Sequence, residues 1–461
     1  MEYIENQTFD EIALGASASL TRTLTWDDIQ LFVAMSGDVN PAHVDAEFAQ
    51  SDFFHKIIAH GMWGAALIST LLGTKLPGPG TIYLGQTLRF RRPVALGDTI
   101  TVTATAQDAE RHRITFDCQC VNQHGEVVIS GSAEVIAPTE KVKRPRAILP
   151  EVHLHDHGAQ YRRLIAMAGG LAPIRTAVVH PVDRRTLLGA VEAAQASLIV
   201  PVLLGPQARI RATSEIAGVD ISSYELVAAA HSHAAVAMAV AMVRAGEVAA
   251  LIIGNAHATE LMQMVVDEAI GLRTGRRISH VAAIDVPTAP RLLFLTDAAL
   301  NIAPSLDHKR EIVQNAIDLA RILGLEIPKV AILSAVETVN PKIRSSVEAG
   351  ALCKMADRGQ ISGGLVDGPF TFDTAVSEAA AAEQGINSPV AGRADILVAP
   401  DLESGTLLAK QLEHLAEAQM ADVVLGARVP IVLISGADTT LSTQATCACA
   451  TVLAHHQWTA L

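Results

Sequence analysis

Four short runs in the first third of the chain, residues 81–90, 99–106, 114–121 and 127–136, alternate apolar and polar side chains. Pro93, Gly97-Asp98 and His124-Gly125 separate them. Period-two alternation broken by such residues predicts strands, and Asn122-Gln123-His124-Gly125 reads as a hairpin turn, so an antiparallel meander is expected. Ahead of it, from Gly61 to about Leu72, Gly-Met-Trp-Gly-Ala-Ala-Leu-Ile-Ser-Thr-Leu-Leu is apolar almost all round, which predicts a buried helix. Lys75-Leu76-Pro77-Gly78-Pro79-Gly80 ends it. Residues 1–137 are therefore expected to form one domain, an antiparallel sheet with one long helix to wrap.

The pattern changes at residues 138–160, where Pro138-Thr139-Glu140-Lys141-Val142-Lys143-Arg144-Pro145-Arg146 and the alternating His153, His155 and His157 read as a linker. The three histidines invite a metal hypothesis, against which stands the commoner reading of a solvated polar segment. Residues 161–461 then alternate strand-like and helix-like stretches. Apolar runs at 175–180, 199–204, 249–254, 291–296, 330–335, 396–399 and 429–435 are interleaved with helical patterns such as 184–196, 308–323 and 407–419. Such alternation predicts a largely parallel sheet covered by helices, with ligands at the carboxyl ends of its strands. The run 226–243 is long enough to suggest a membrane span. It contains His231, Ser232 and His233, is flanked by Glu225 and Arg244 and is rich in alanine, so it reads as a buried helix with its two histidines on different faces.

A chain of 461 residues exceeds one compact core, which agrees with two domains. Fifty per cent hydrophobic and 18% charged residues mark a globular chain, and a net charge of −13 argues against nucleic acid as the main partner. The five cysteines, Cys118, Cys120, Cys353, Cys447 and Cys449, have no zinc spacing and read as buried small side chains in a reducing compartment. Met1-Glu2-Tyr3-Ile4-Glu5 lacks the basic start and apolar core of a secretory signal, so the expected location is cytoplasmic and away from the membrane. No Walker loop or Gly-x-Gly-x-x-Gly occurs, which leaves nucleotide hydrolysis and dinucleotide oxidoreduction without support.

Chemistry concentrates in Ser36-Gly37-Asp38-Val39-Asn40-Pro41-Ala42-His43-Val44-Asp45 and in Ala59-His60-Gly61-Met62-Trp63. Asn40-Pro41 disfavours helix before the proline, so Asp38 and Asn40 lie on a turn while His43 begins or precedes the next element. A carboxylate and an imidazole around one water suit addition of water to an activated double bond. The helix starting at Gly61 would aim unpaired amides at an enolate-like oxygen. A lone Asp-x-Asn-Pro would read as a turn; His43 and His60-Gly61-Met62 at these offsets favour a site. His55 reads as surface.

These residues resemble the motif of the MaoC-like (R)-specific enoyl-CoA hydratases over roughly residues 10–137, which implies a hot-dog fold. The resemblance makes Asp38 and His43 the catalytic dyad and the Gly61 amide the donor to the thioester carbonyl. Asn40, His60 and Met62 are placed with the substrate-binding wall; Asn40 and Asp45 also read as structural members of the turn, and His60 as a structural hydrogen-bonder.

Polar residues also gather at the strand ends of the second domain, in Gly254-Asn255-Ala256-His257, Thr296-Asp297, Ser334 with Glu337, Asp367-Gly368-Pro369, Pro400-Asp401-Leu402-Glu403 and Ser435-Gly436-Ala437-Asp438; most such groups are caps and turns. Nearly all of residues 162–461 resemble the phosphate acetyl/butyryltransferases, through the stretch from Gly271 to His280, Thr296-Asp297-Ala298-Ala299, the stretch from Ala331 to Glu337, Asp367-Gly368-Pro369 and the stretch from Val390 to Leu397. The resemblance implies acyl transfer between coenzyme A and inorganic phosphate, which needs cationic forks and a base near the thiol. Ser435 and Asp438 are carried over as catalytic and Asn255, Arg273, Arg276 and Arg277 as substrate-binding, with structural ion pairs an equal reading for each arginine. This chain departs from its relatives where Gly436 stands for an arginine and Ile253 for a lysine, and where His257-Ala258-Thr259-Glu260 replaces His-Thr-Asp-Glu.

The sequence thus predicts an α+β hot-dog domain (antiparallel sheet wrapping a central helix) followed by an α/β domain with a largely parallel sheet. The expected function is a bifunctional acyl-CoA enzyme that hydrates trans-2-enoyl-CoA to (R)-3-hydroxyacyl-CoA and exchanges acyl-CoA and phosphate for acyl phosphate and coenzyme A. The alternatives are a hydratase carrying an impaired, acyl-CoA-binding or oligomerising transferase-like module, and a transferase with an inert hot-dog scaffold. Coenzyme A thioesters and phosphate are substrates, no metal or redox cofactor is implied, and the resemblance implies a homo-oligomer.

Overall fold

The computed structural model describes residues 3–147, 152, 157–254, 258–435 and 438–456. The chain divides into two compact units, Met1–Leu154 and His155–Leu461. The first contains β1 (Tyr3–Glu5), β2 (Ser17–Thr23), α1 (Trp26–Ser36), α2 (Pro41–Val44), α3 (Ala46–Ser51), α4 (Gly61–Thr74), β3 (Ile82–Phe90), β4 (Thr99–Glu110), β5 (Arg113–Val121), β6 (Val127–Ile136) and β7 (Lys143–Pro145). Its main sheet has the order β2-β4-β5-β6-β3, antiparallel throughout. Trp63, Leu67, Ile68, Leu71 and Leu72 of α4 pack into the core with Ile100, Val102, Phe116 and Cys118 from the sheet, giving the wrapped-helix hot-dog arrangement.

Two details differ from the sequence expectation. Only β4, β5 and β6 form a meander, because β3 pairs with β6 at the edge and not with β4. And α4 buries one face only: Met62, Ala66, Ser69, Thr70 and Gly73 are exposed. The segment read as linker begins against this unit. Asn6, 1% exposed, donates to the Glu140 carbonyl and accepts from the Val142 amide, both at 2.8 Å, and β7 pairs with β1. His153 and His155 lie outside the described residues.

The second unit contains, in chain order, α5 (Ala159–Ala168), β8 (Ile174–Val179), α6 (Arg184–Gln195), β9 (Ile199–Gly205), α7 (Gln207–Ala217), β10 (Glu225–Ala228), α8 (Ser232–Arg244), β11 (Ala250–Gly254), α9 (Ala258–Val265), β12 (Ser279–Asp285) and β13 (Leu293–Thr296). It continues with α10 (Leu306–Ile322), β14 (Lys329–Leu333), α11 (Arg344–Asp357), β15 (Leu365–Phe370), α12 (Phe372–Val376), α13 (Glu378–Glu383), β16 (Ile396–Val398), α14 (Leu402–Leu415), β17 (Gln419–Leu425), β18 (Ile431–Ile434) and α15 (Thr440–His455). The strands form one sheet in the order β10-β9-β8-β11-β18-β17-β12-β13-β16-β14-β15. Seven of its ten pairings are parallel; the antiparallel three are β18/β17, β17/β12 and β12/β13 at its centre.

All seven apolar runs picked out in the sequence contain strands, while β10, β12, β15 and β17 have no counterpart among them. The run 226–243 is a strand end, a turn and then α8, not one helix. His231 precedes that helix and caps it, its Nδ1 accepting from the Ala234 amide at 3.2 Å, with the His233 ring 6.2 Å away. Among the described residues no helix is long and apolar enough to cross a membrane.

Candidate functional site

In the first unit the chemistry is set up by consecutive caps. Thr25 and Asp28 close a capping box at the start of α1, and Gly37, at φ 72°, ends the helix by donating its amide to the Val33 carbonyl. Only a left-handed residue allows this turn, and glycine adopts it without strain. Ser36 Oγ then accepts from the Asp38 amide, Asp38 Oδ1 from the Asn40 amide and Asn40 Oδ1 from the Ala42 amide, each at 3.2 Å. Pro41 occupies the first position of α2, where its missing N–H costs nothing. His43 therefore lies on a short helix one turn from Asp38, and Asp45 caps α3.

His43 Nδ1 lies 2.9 Å from the Ile58 carbonyl. A carbonyl only accepts, so Nδ1 carries the proton and Nε2 keeps the lone pair. The same reasoning applies to His60, whose Nε2 is 3.1 Å from the Asp38 carbonyl and 4.0 Å from Asp38 Oδ2. The His60 ring is 3% exposed and lies between His43, at 3.9 Å between centroids, and Phe32, at 4.8 Å and 27° between planes. His60 thus contacts both Asp38 and His43. One ligand atom from each of Asp38, His43 and His60 lies within 4.8 Å of the others.

His43, His60 and Gly61 line a cavity of about 300 Å³ whose apolar wall includes Trp63, Phe90 and Ile129. Gly61 opens α4, the N-cap His60 contributes no side-chain hydrogen bond and the Trp63 amide donates to the His60 carbonyl at 3.0 Å, which leaves the Gly61 and Met62 amides outside the helical ladder. Met62, in the same turn, is 55% exposed. A Cβ on Gly61 would come within 3.0 Å of the Phe90 ring. On the hydratase reading that the resemblance implies, Gly61→Ala is expected to lower kcat/KM for enoyl-CoA hydration by about tenfold or more by crowding the position of its amide, with only a small change in Tm. Steady-state kinetics beside a melting curve check both.

The sequence does not single out Phe32, the Ile58 carbonyl, Phe90, Arg91 or Arg92. Arg91 and Arg92 line both the dyad cavity and an adjoining surface hollow of about 500 Å³. The visible signal was the basic cluster Arg89-Phe90-Arg91-Arg92-Pro93 at a strand end.

In the second unit Ser435 follows β18, and its amide and hydroxyl both donate to Asp438, at 2.6 Å to Oδ2 and 3.0 Å to Oδ1. Asp438 is 8% exposed. Burial pushes its carboxyl up to about 6; Asp422 adds to that push, and the Ser435 amide and the Arg185 guanidinium oppose it. Arg185, from the first turn of α6, donates to the Asp438 carbonyl oxygen. Asn255 and Gly436 lie outside the described residues.

The other departures are placed clearly. Ile253 is fully buried, its side chain in the apolar cluster on one face of the sheet while Ile252 lies in that on the other. Arg273 pairs with Glu268 at 3.2 Å, and Arg276 with Asp318 at 3.3 Å and Glu311 at 4.0 Å. Arg277 donates to Asn301 Oδ1 at 2.8 Å and, among the described residues, pairs with no carboxylate. The three arginines thus have separate partners.

A family model for the MaoC like domain matches residues 11–127, and one described as Phosphate acetyl/butaryl transferase matches residues 228–450. The chain is 54% identical over 296 residues to a phosphate acetyltransferase of Rhizobium meliloti, covering 64% of this chain and 94% of that protein. A branched-chain phosphotransacylase structure from Enterococcus faecalis is 29% identical with a TM-score of 0.54, covering 61% of this chain and 99% of that one. The unliganded R-hydratase PhaJ1 from Pseudomonas aeruginosa is 44% identical with a TM-score of 0.33, covering 33% and 99%. The chain is a fusion of a MaoC-like domain with a phosphate acetyl/butyryltransferase domain, and through the latter it belongs to the phosphate acetyl/butyryltransferase family.

Proposed function

We propose that this chain is a bifunctional acyl-CoA enzyme, hydrating trans-2-enoyl-CoA to (R)-3-hydroxyacyl-CoA in its first unit and exchanging acyl-CoA and phosphate for acyl phosphate and coenzyme A in its second. The observation that carries the first half is the cluster of Asp38, His43 and His60, of which His43 and His60 line the cavity at the start of α4. The Asp38 carboxylate and His43 Nε2 are both acceptors, so they bracket one water. As its oxygen attacks C3 the dyad takes a proton, and a proton returns from the dyad to C2. The Gly61 amide holds the thioester oxygen, where charge builds up. Asn40 holds the turn, His60 lines the cavity, and Met62, exposed in the same turn of α4, is a further candidate substrate contact.

In the second unit Asp438 is the base for the coenzyme A thiol and Ser435 its partner at the transferring group. Arg185 beside Asp438, and Arg277, which is free of carboxylates among the described residues, are the cations proposed for phosphate. Asn255, Arg273 and Arg276 remain candidate substrate contacts. Five unbridged cysteines support a cytoplasmic setting. Exposed Met35 and Val39, beside Asp38 in sequence, and Met62 at the start of α4 support a homo-oligomer.

A second reading, a hydratase with an impaired transferase module, is favoured by one observation: Ile253 is sealed in the sheet and offers no cation. Incubation of the purified chain with crotonyl-CoA, and separately with butyryl-CoA and phosphate, decides between them. Loss of enoyl absorbance together with acyl phosphate formation supports two sites, hydration alone supports the second reading, and absence of hydration sinks the assignment of the dyad.

Arg91 and Arg92 are placed to meet the phosphates of coenzyme A. Replacing both with glutamine is expected to raise KM for crotonyl-CoA about tenfold at low salt, with a smaller effect at high salt and none on crotonyl-pantetheine. Equal losses on both thioesters would show that the arginines act on the fold instead.

A further inference from the structure

The second unit has a hollow with cationic side chains that does not include Ser435. A cavity of about 580 Å³ opens where β14 and β16, adjacent and parallel, end in Ser334 and Ala399-Pro400-Asp401. From β14 the chain leaves through α11 to the edge strand β15, whereas from β16 it leaves through α14 back to the central strand β17. Diverging connections from neighbouring parallel strands leave a crevice at their carboxyl ends, where open α/β sheets bind ligands.

Strands β17, β12, β13 and β16 separate β18 from β14, a span of about 24 Å at ordinary strand spacing. The three antiparallel pairings between them make β14 run opposite to β18, so their carboxyl ends lie at opposite edges of the sheet. The cavity is therefore separate from the pair Ser435 and Asp438.

Its walls have two characters. The Lys309 side chain, 5% exposed, places Nζ 2.5 Å from one oxygen of Glu348, and Arg344 places Nε 2.7 Å from the other. One carboxylate thus serves two cations. Asp401, the other acid on the wall, is spent on capping α14 through the Ser404 amide and hydroxyl. Ser334 and Ser345 hydroxyls lie 2.9 Å apart beside the cations, and α11 begins there without a side-chain cap. The Pro304 carbonyl accepts from Arg344 at 3.4 Å, and Phe372 and Leu408 supply apolar wall.

We propose that this cavity is a second ligand site of the transferase-like unit, binding a small organic anion with a phosphate or carboxylate head and an apolar body. The head meets Arg344, Lys309 and Ser345, where charge-assisted bonds are strongest. The body lies against Phe372 and Leu408. This does not depend on either proposed activity.

Isothermal titration of the full chain in phosphate-free buffer with phenyl phosphate, benzoate and benzyl alcohol tests it, on wild type, Arg344→Gln and Ser345→Phe. Arg344 is 67% exposed, so its replacement leaves the fold in place; the phenylalanine fills the cavity. The expected result is binding of at least one of the two anions, weakened tenfold or more in both variants at unchanged Tm, with no binding of the alcohol. Whichever anion binds identifies the head group. No binding at millimolar concentration, equal binding by Arg344→Gln, or equal binding of the alcohol would overturn the proposal. Should Ser345→Phe melt early, Arg344→Gln alone decides.

Discussion

Asp38→Asn is expected to reduce hydration of crotonyl-CoA by about 10²–10⁴, with acyl phosphate formation in the same preparation unchanged. The substitution keeps the shape of the side chain, and the carboxamide oxygen it introduces can still accept from the Asn40 amide, as Asp38 Oδ1 does at 3.2 Å. What it removes is the second acceptor, which binds water and takes its proton. His43→Gln should have a comparable effect for the complementary reason, since Nε2 is the free lone pair once Nδ1 has donated to the Ile58 carbonyl. His60→Asn acts differently: it loosens the ring wedged between Phe32 and His43 without removing a proton acceptor from the water, so a smaller fall is expected. Wild-type hydration in Asp38→Asn would defeat the dyad outright, whereas a parallel loss of transferase activity would point to unfolding.

The proximity of Asp38 and His43 was legible in sequence because their geometry is local. Gly37, Asp38, Asn40 and Pro41 are a helix stop, two side-chain caps and a helix start in succession, and each constrains the next residues within one turn. The surroundings were not legible for the converse reason. Ile58 is 15 residues from the imidazole it orients, and Phe32 belongs to the preceding helix. In the second unit the strands at the chain's apolar runs were found, and β10, β15 and the two antiparallel strands at the centre of the sheet were missed.

The physical cause of that miss is visible in β12 and β17. Every residue of β12 is buried, yet it includes Ser279, His280 and Asp285, and β17 carries Asp422. A search for apolar runs rejects such strands, because it cannot see partners supplied from elsewhere: Asn315 donates to Ser279 Oγ and the Gln160 amide to Asp285 Oδ2. His280 Nε2 lies 3.0 Å from Asp422 Oδ1 across the β12/β17 pair. Burial opposes the charged imidazole, but Asp422 and then Asp297 outweigh it and raise its pKa. The paired charge is a property of two strands, and neither sequence alone announces it.

The same sheet places Asp438, and the second large effect is expected there. With coenzyme A and acetyl phosphate as substrates, Asp438 in its proposed role as base must be ionised to take the thiol proton. Its carboxyl is pushed from 3.8 up to about 6, so the rate should rise as pH passes about 6. In the opposite direction the acid form returns a proton to the leaving thiolate, and the rate should fall through the same interval. Asp438→Asn should lose about 10²–10³ in rate in both directions and lose that inflection, which separates it from titration of phosphate itself.

Stability should move the other way. A carboxyl whose folded pKa lies above its unfolded value favours the folded state when protonated, so its ionisation costs stability in full above about 6, and the cost fades as pH falls towards 3.8. The cost at pH 8 is roughly 1–3 kcal/mol. Asp438→Asn should therefore melt at a higher temperature than wild type at pH 8 and at about the same temperature near pH 4. A variant that is slower yet more stable identifies Asp438 as a group held under strain for the proton transfer, since damage to the scaffold would lower rate and melting temperature together.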